Sequence, residues 1–183
     1  MSTFNVPTRE EVSTINQAIF DNLEKQVGFV PNLYATYAYS ENALKNYLNF
    51  AGAKTSLKGK EKEAISLAVS QVNNCEYCLS AHTALGKMNG FTDGQILELR
   101  AGKASFDNKL DALARLSKNI TENRGNTDTA VLENFFKAGW TKENLIDTIS
   151  LVGDKTISNY INNTTQIPVD FPVAVPLEAE LAS

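Results

Sequence analysis

Apolar residues recur at three- and four-residue spacing along nearly the whole chain, and no convincing period-two alternation appears before the tail. Such a pattern builds stacked helices and leaves no strand for a sheet. Val12, Ile15, Ile19, Leu23 and Val27 follow it, with Thr8 and Glu11 spaced as a capping box ahead of them and Gly28 placed as a stop. A turn at Phe29-Val30-Pro31-Asn32 leads into an aromatic segment, 33–39. Ser40 is then placed to cap a helix whose inner face holds Leu44, Tyr47, Leu48 and Ala51. Ile65, Ala68, Val69 and Val72 mark the next helix, and after a break at Asn73-Asn74 another runs to Gly90. Thr92 and Gln95 form a second capping box before Ile96 and Leu99. Leu110, Leu113, Leu116 and Ile120 mark a longer helix, and Val131, Leu132, Phe135 and Phe136 one that stops at Gly139. Thr141 opens the last, through Leu145, Ile149 and Val152 toward Ile161. Pro168, Pro172 and Pro176, four residues apart, suit neither helix nor sheet interior, so the tail reads as an extended arm.

The expected organisation is one all-α domain over 1–183, with a motif-bearing half at 28–102, a second helical half at 103–165 and the arm at 166–183. Gly90-Phe91-Thr92 is echoed by Gly139-Trp140-Thr141, which points to an internal helical repeat. At 183 residues and 43% hydrophobic content the chain can bury a core without cross-links. Its net charge of −4 comes without any basic stripe, which argues against nucleic acid as a partner. No apolar run approaches the roughly 20 residues that span a bilayer. The first residues lack the charged and apolar regions of a secretory signal, and both cysteines fall in one motif, so the expected location is cytoplasmic. The tyrosine-rich segment and the arm have no evident home within a compact bundle, so both are expected to meet another subunit.

The chemistry is concentrated in one string. The only two cysteines and the only histidine, Cys75, Cys78 and His82, lie within eight residues, and Glu63 precedes Cys75 by twelve. At about 100° per residue, positions 75, 78 and 82 share a helix face. Thiols three residues apart can close into a disulfide within one turn. The break at Asn73-Asn74 sets the sulfurs at a helix start, where unpaired N–H groups favour a thiolate. His82 can relay a proton, and Glu63 can orient the imidazole or pass the proton on. These parts suit attack of a thiolate on a peroxide O–O bond, capture of the sulfenic acid by the second thiol, and reduction by an external dithiol. They also suit a disulfide oxidoreductase acting on protein or small-molecule disulfides, or a non-catalytic redox-sensing helical assembly. A zinc site would need Glu63 or Glu76 as fourth ligand. Tyr77, between the cysteines, is a candidate substrate contact.

The string Glu63-x11-Cys75-Glu76-Tyr77-Cys78-x3-His82, with Gly28-Phe-Val-Pro-Asn-Leu before it and Gly90-Phe-Thr after it, resembles the alkylhydroperoxidase D (AhpD-like) family of the carboxymuconolactone decarboxylase superfamily, in its peroxidase-related branch. The resemblance spans residues 28–102 and, more loosely, the rest. It implies an AhpD-like helical bundle, assembly as a homotrimer or homohexamer, and a peroxidase without metal, haem or flavin. It further implies Cys78 as the peroxidatic thiol, Cys75 as the resolving thiol, a Glu63–His82 proton relay, and a lipoyl- or thioredoxin-type reductant. Where the best-known members carry a second histidine between the cysteines, this chain has Tyr77, a poorer proton carrier at neutral pH.

Overall fold

The computed structural model describes residues 4–177. Among them are a short 3₁₀ turn, Arg9–Glu11, and nine α-helices: α1 (Thr14–Val27), α2 (Asn32–Tyr37), α3 (Ala43–Ala51), α4 (Gly59–Val72), α5 (Glu76–Met88), α6 (Asp93–Arg100), α7 (Asn108–Glu122), α8 (Thr129–Lys137) and α9 (Lys142–Thr165). The all-α reading holds. The expected last six residues of the arm, 178–183, lie outside the described residues.

Helix α4 organises the bundle. Every residue from Glu63 to Ser70 is buried, so the helix has no solvent face over that stretch, and its neighbours must cover it on all sides. α5, α6, α7 and α9 do so. One apolar cluster joins α4 to α6, α7 and α8 through Ile65, Leu67, Leu99, Leu113, Leu116 and Phe135, with Val152 reaching in from α9. A second joins α1, α2 and α3 to the cysteine turn through Phe20, Leu33, Tyr37, Leu44 and Tyr47, with Ile167 of the arm. Trp140 stacks on Phe135 at 5.6 Å and donates from Nε1 to the Lys109 carbonyl at 3.0 Å, which fixes the α8–α9 joint. The two echoed joints have the same local form. Gly90 and Gly139 have φ of 84° and 90°, Phe91 and Trp140 are buried, and Thr92 and Thr141 cap the following helices by accepting from Gln95 and Asn144.

Several local expectations shift. The Thr8–Glu11 box is present but closes the 3₁₀ turn, and α1 starts separately behind Ser13. Its buried face is accordingly Asn16, Phe20 and Leu23, while Ile15 and Val27 face outward. Asn42, not Ser40, precedes α3, without a side-chain capping bond. α9 continues to Thr165 before Gln166 turns left-handed at φ 52°, and Ile149 lies on its open side.

The arm is extended, as its prolines require, yet it lies along its own chain. Asp170 Oδ2 accepts from the Asn32 amide at 2.6 Å, and Asn32 Nδ2 donates to the Pro168 carbonyl at 3.1 Å. The Ala174 amide donates to Ser80 Oγ at 3.0 Å, and Arg100 donates to the Val175 carbonyl at 2.7 Å. Phe171 packs edge-on against Phe29 and Tyr77. The described arm therefore has the intramolecular seat that the sequence did not reveal. Its partners are backbone groups and single side chains on α2, α5 and α6, with no periodicity to mark them.

Replacing Leu113, fully buried on α7, by alanine is expected to cost about 2–5 kcal/mol in urea denaturation. Met88→Ala, at a residue 82% exposed, is expected to stay within about 0.5 kcal/mol of the parent.

Candidate active site

The cysteines sit on a corner between two helices. Asn74 is left-handed, at φ 50°. Its amide donates to the Gln71 carbonyl at 3.2 Å, and the Cys75 amide to the Ser70 carbonyl at 3.0 Å. These are the paired bonds of a Schellman ending, with asparagine where glycine is commonest. Cys75 completes that ending and is also the N-cap of α5, its Sγ accepting from the Cys78 amide at 3.2 Å. Cys75 and Cys78 are joined as a disulfide, with their Cα atoms 5.3 Å apart. Helix α9 clamps the corner. Asn73 Nδ2 donates to Asn159 Oδ1 at 2.9 Å, Asn159 Nδ2 to Ser70 Oγ at 3.2 Å, and Asn163 Nδ2 to the Asn73 carbonyl at 2.7 Å.

Glu63, near the start of α4, lies within hydrogen-bond reach of His82, one turn beyond Cys78 on α5. Its Oε2 is 2.8 Å from His82 Nδ1, and the two side chains are only 11% and 13% exposed. A carboxylate there accepts the Nδ1 proton and so leaves the lone pair on Nε2. Among the described residues Nε2 has no protein partner. No three Cys, His, Asp or Glu side chains of the described residues converge as a metal donor set.

A pocket of about 240 Å³ opens onto these groups. Cys78 and His82 line it, whereas Cys75 does not and is fully buried. Leu33 and Tyr34 of α2, Tyr47 of α3, Phe171 of the arm, and Lys155 and Ser158 of α9 complete the wall. A cleft of about 320 Å³ between Gln71, Arg100 and the arm contains neither sulfur nor imidazole.

Four tyrosines stiffen this region. Tyr47 stacks on Tyr37 at 4.3 Å, and its hydroxyl lies 2.7 Å from Ser158 Oγ. Tyr77 contributes its ring to the pocket, but its hydroxyl accepts from the Leu33 amide at 3.2 Å. Burial, reinforced by the Asp170 carboxylate, pushes Tyr77 well above the usual phenol range, which removes it as a proton carrier. Burial likewise raises Tyr34, Tyr37 and Tyr47, with Asp154 adding to each.

The four chemical residues singled out in the sequence thus lie together, with Tyr77 beside them. The contributions of α9 went unread. Asn159, Asn163, Lys155 and Ser158 come from a segment without cysteine or histidine, and their only signal was asparagine and serine on the inner face of a predicted helix.

Residues 40–117 match the model of the carboxymuconolactone decarboxylase family. No curated protein matches the sequence significantly. Among solved structures, an alkylhydroperoxidase AhpD core, an uncharacterised peroxidase-related protein from Ralstonia eutropha JMP134, superposes with a TM-score of 0.81 at 20% identity, over 91% of each chain. An uncharacterised peroxidase-related protein from Silicibacter sp. TM1040 gives 0.79 at 20% identity, again over 91% of each. The debrominase Bmp8 in complex with 2,3,4-tribromopyrrole gives 0.72 at 14% identity, over 100% of this chain and 98% of that one. At such identities these likenesses establish the fold.

The raised tyrosines set an alkaline limit. Below about pH 10 both folded and unfolded chains hold these protons, and the contribution to stability is complete. Above it the unfolded chain releases them first, so stability should fall as pH rises toward the higher folded-state values. Urea midpoints measured from pH 8 to pH 11 are expected to drop on the alkaline side, with the phenolate absorbance of these residues appearing only on unfolding.

Proposed function

From an AhpD-like helical fold that carries the carboxymuconolactone decarboxylase family segment over residues 40–117, we propose that this protein is a thiol-dependent peroxidase acting on organic hydroperoxides or hydrogen peroxide. The observation that carries the reading is the shared pocket, where Cys78, bonded to Cys75, lies one helical turn from an imidazole held by Glu63.

The cycle starts with the reduced pair. His82 Nε2 takes the Cys78 proton, and the α5 N-terminus favours the resulting thiolate. The thiolate sulfur attacks the peroxide. The O–O bond breaks, one oxygen stays on sulfur as sulfenic acid, and the other leaves as alcohol or water with the proton returned by His82. Cys75 then attacks the sulfenic sulfur, which forms the disulfide and releases water. An external dithiol restores both thiols by exchange and becomes oxidised in turn. Cys78 has the peroxidatic role because it faces the pocket, and Cys75 the resolving role because it is buried behind. Tyr77 contributes ring contact to the substrate. A reductant of lipoyl or thioredoxin type, available in a reducing cytoplasm, closes the cycle.

A second reading sends the same electrons into a carbon–halogen bond. It is favoured by the full-length likeness to Bmp8, which is named a debrominase. On this reading Cys75 and Cys78 would become a disulfide while an aryl bromide becomes the arene and hydrogen bromide.

Cys78→Ser should abolish peroxide consumption with dihydrolipoamide, thioredoxin or glutathione. Cys75→Ser should retain one turnover and accumulate sulfenic acid, detected by dimedone labelling. Parent-like turnover in the Cys78 variant overturns the assignment, and bromide release from 2,3,4-tribromopyrrole without peroxide consumption favours the second reading.

We further propose homo-oligomeric assembly, as a trimer or hexamer, through the outer face of α9. Ile146, Ile149, Ile157 and Tyr160 stand open there along one long helix, Ile146 at 62% exposure and Tyr160 at 59%. Light scattering at micromolar concentration should exceed the 20.0 kDa of one chain, and a monomer would refute the assembly.

A further inference from the structure

The pocket has one polar wall that the peroxidase cycle does not use. Lys155 projects from α9 into the space that Cys78 and His82 line. Its side chain is 14% exposed, and its Nζ lies 3.1 Å from Asp154 Oδ2. An ammonium carries three donors. Among the described residues only this one acceptor is supplied, so its other donors are left to water or to a ligand. Asp154 pairs with this ammonium through one oxygen and leaves its other donors open to the pocket. It lines the cleft on the other side, with Lys54 and Lys62, and has a second buried oxygen without a partner. Ser158, one turn beyond Lys155, and Tyr34, whose hydroxyl has no partner among the described residues, line the same pocket. The remaining wall is aliphatic and aromatic. The volume equals about eight waters at roughly 30 Å³ each, enough for a small ring with a short substituent.

Building on the peroxidase reading of this site, we propose that Lys155 anchors the anionic head of the substrate, so that the preferred peroxide is a small apolar hydroperoxide bearing a carboxylate. The apolar body fills the space between Tyr34, Tyr47 and Phe171. The carboxylate completes the donors of Lys155, assisted by the Tyr34 hydroxyl. The hydroperoxide end is thereby directed toward Cys78, and a charged head gives the site its specificity.

The test separates binding from turnover. Unreactive 4-isopropylbenzoate is titrated by calorimetry into the parent, Lys155→Met and Lys155→Arg. Cumene hydroperoxide and its para-carboxylate are then compared as substrates. The methionine variant should bind 4-isopropylbenzoate ~10- to 100-fold more weakly, as expected for loss of a charged hydrogen bond. The ratio of kcat/KM for the carboxylated over the neutral peroxide should fall at least ~10-fold in the same variant. Arginine should restore most of both, and circular dichroism melts check that each variant is folded. Equal binding by parent and Lys155→Met, or an unchanged ratio, overturns the inference even if both peroxides turn over. Lysine-dependent binding of 4-isopropylbenzoate with no turnover of either peroxide upholds Lys155 as the carboxylate anchor of the pocket and refutes the peroxidase reading instead.

Discussion

The burial of α4 on every side is the constraint from which the rest of the architecture follows. Over Glu63–Ser70 the helix offers water nothing, so other helices must enclose it. A carboxylate in such a helix needs a hydrogen-bond donor. Glu63 finds one in His82, and that bond sets the register of α5 against α4. The polar atoms of Ser70 and the Asn73-Asn74 corner are answered from α9. The enclosure that buries the apolar side chains therefore also brings α9 to the corner that holds the sulfurs.

Much of this was legible because helices declare themselves locally. Period, caps and stops located α4 through α9 to within a few residues, and the combination of cysteine, histidine and glutamate named the chemical centre. Features that depend on which neighbour an element meets were not legible. The face of α1 depends on where Ser13 starts the helix, and Asn16 is buried because it donates to the Ala38 and Ser40 carbonyls, which no periodicity encodes. Lys155 has the composition of any surface lysine until α9 lies across the pocket. The arm looked homeless because its contacts are hydrogen bonds between single side chains and backbone groups, with Ile167 and the Phe171 ring beside them, chemistry that leaves little trace in a hydropathy pattern.

The corner between α4 and α5 shows how a small local rule serves the site. A left-handed residue ends one helix, the next residue caps another, and no spacer remains. The sulfur of Cys75 is thus held by the same bonds that terminate α4, while Cys78 is the third residue of α5 and faces the pocket. The difference in setting between two cysteines of identical chemistry comes from backbone geometry alone, and it gives a physical basis for assigning them different parts.

Phe171 belongs to the pocket wall but lies in the last stretch of the described chain, long after Cys78 and His82. During synthesis, then, both sulfurs leave the ribosome well before the ring that walls them off. A nascent bundle would hold its thiols beside an unfinished cavity, open to any passing oxidant, until the segment carrying Phe171 emerges and settles.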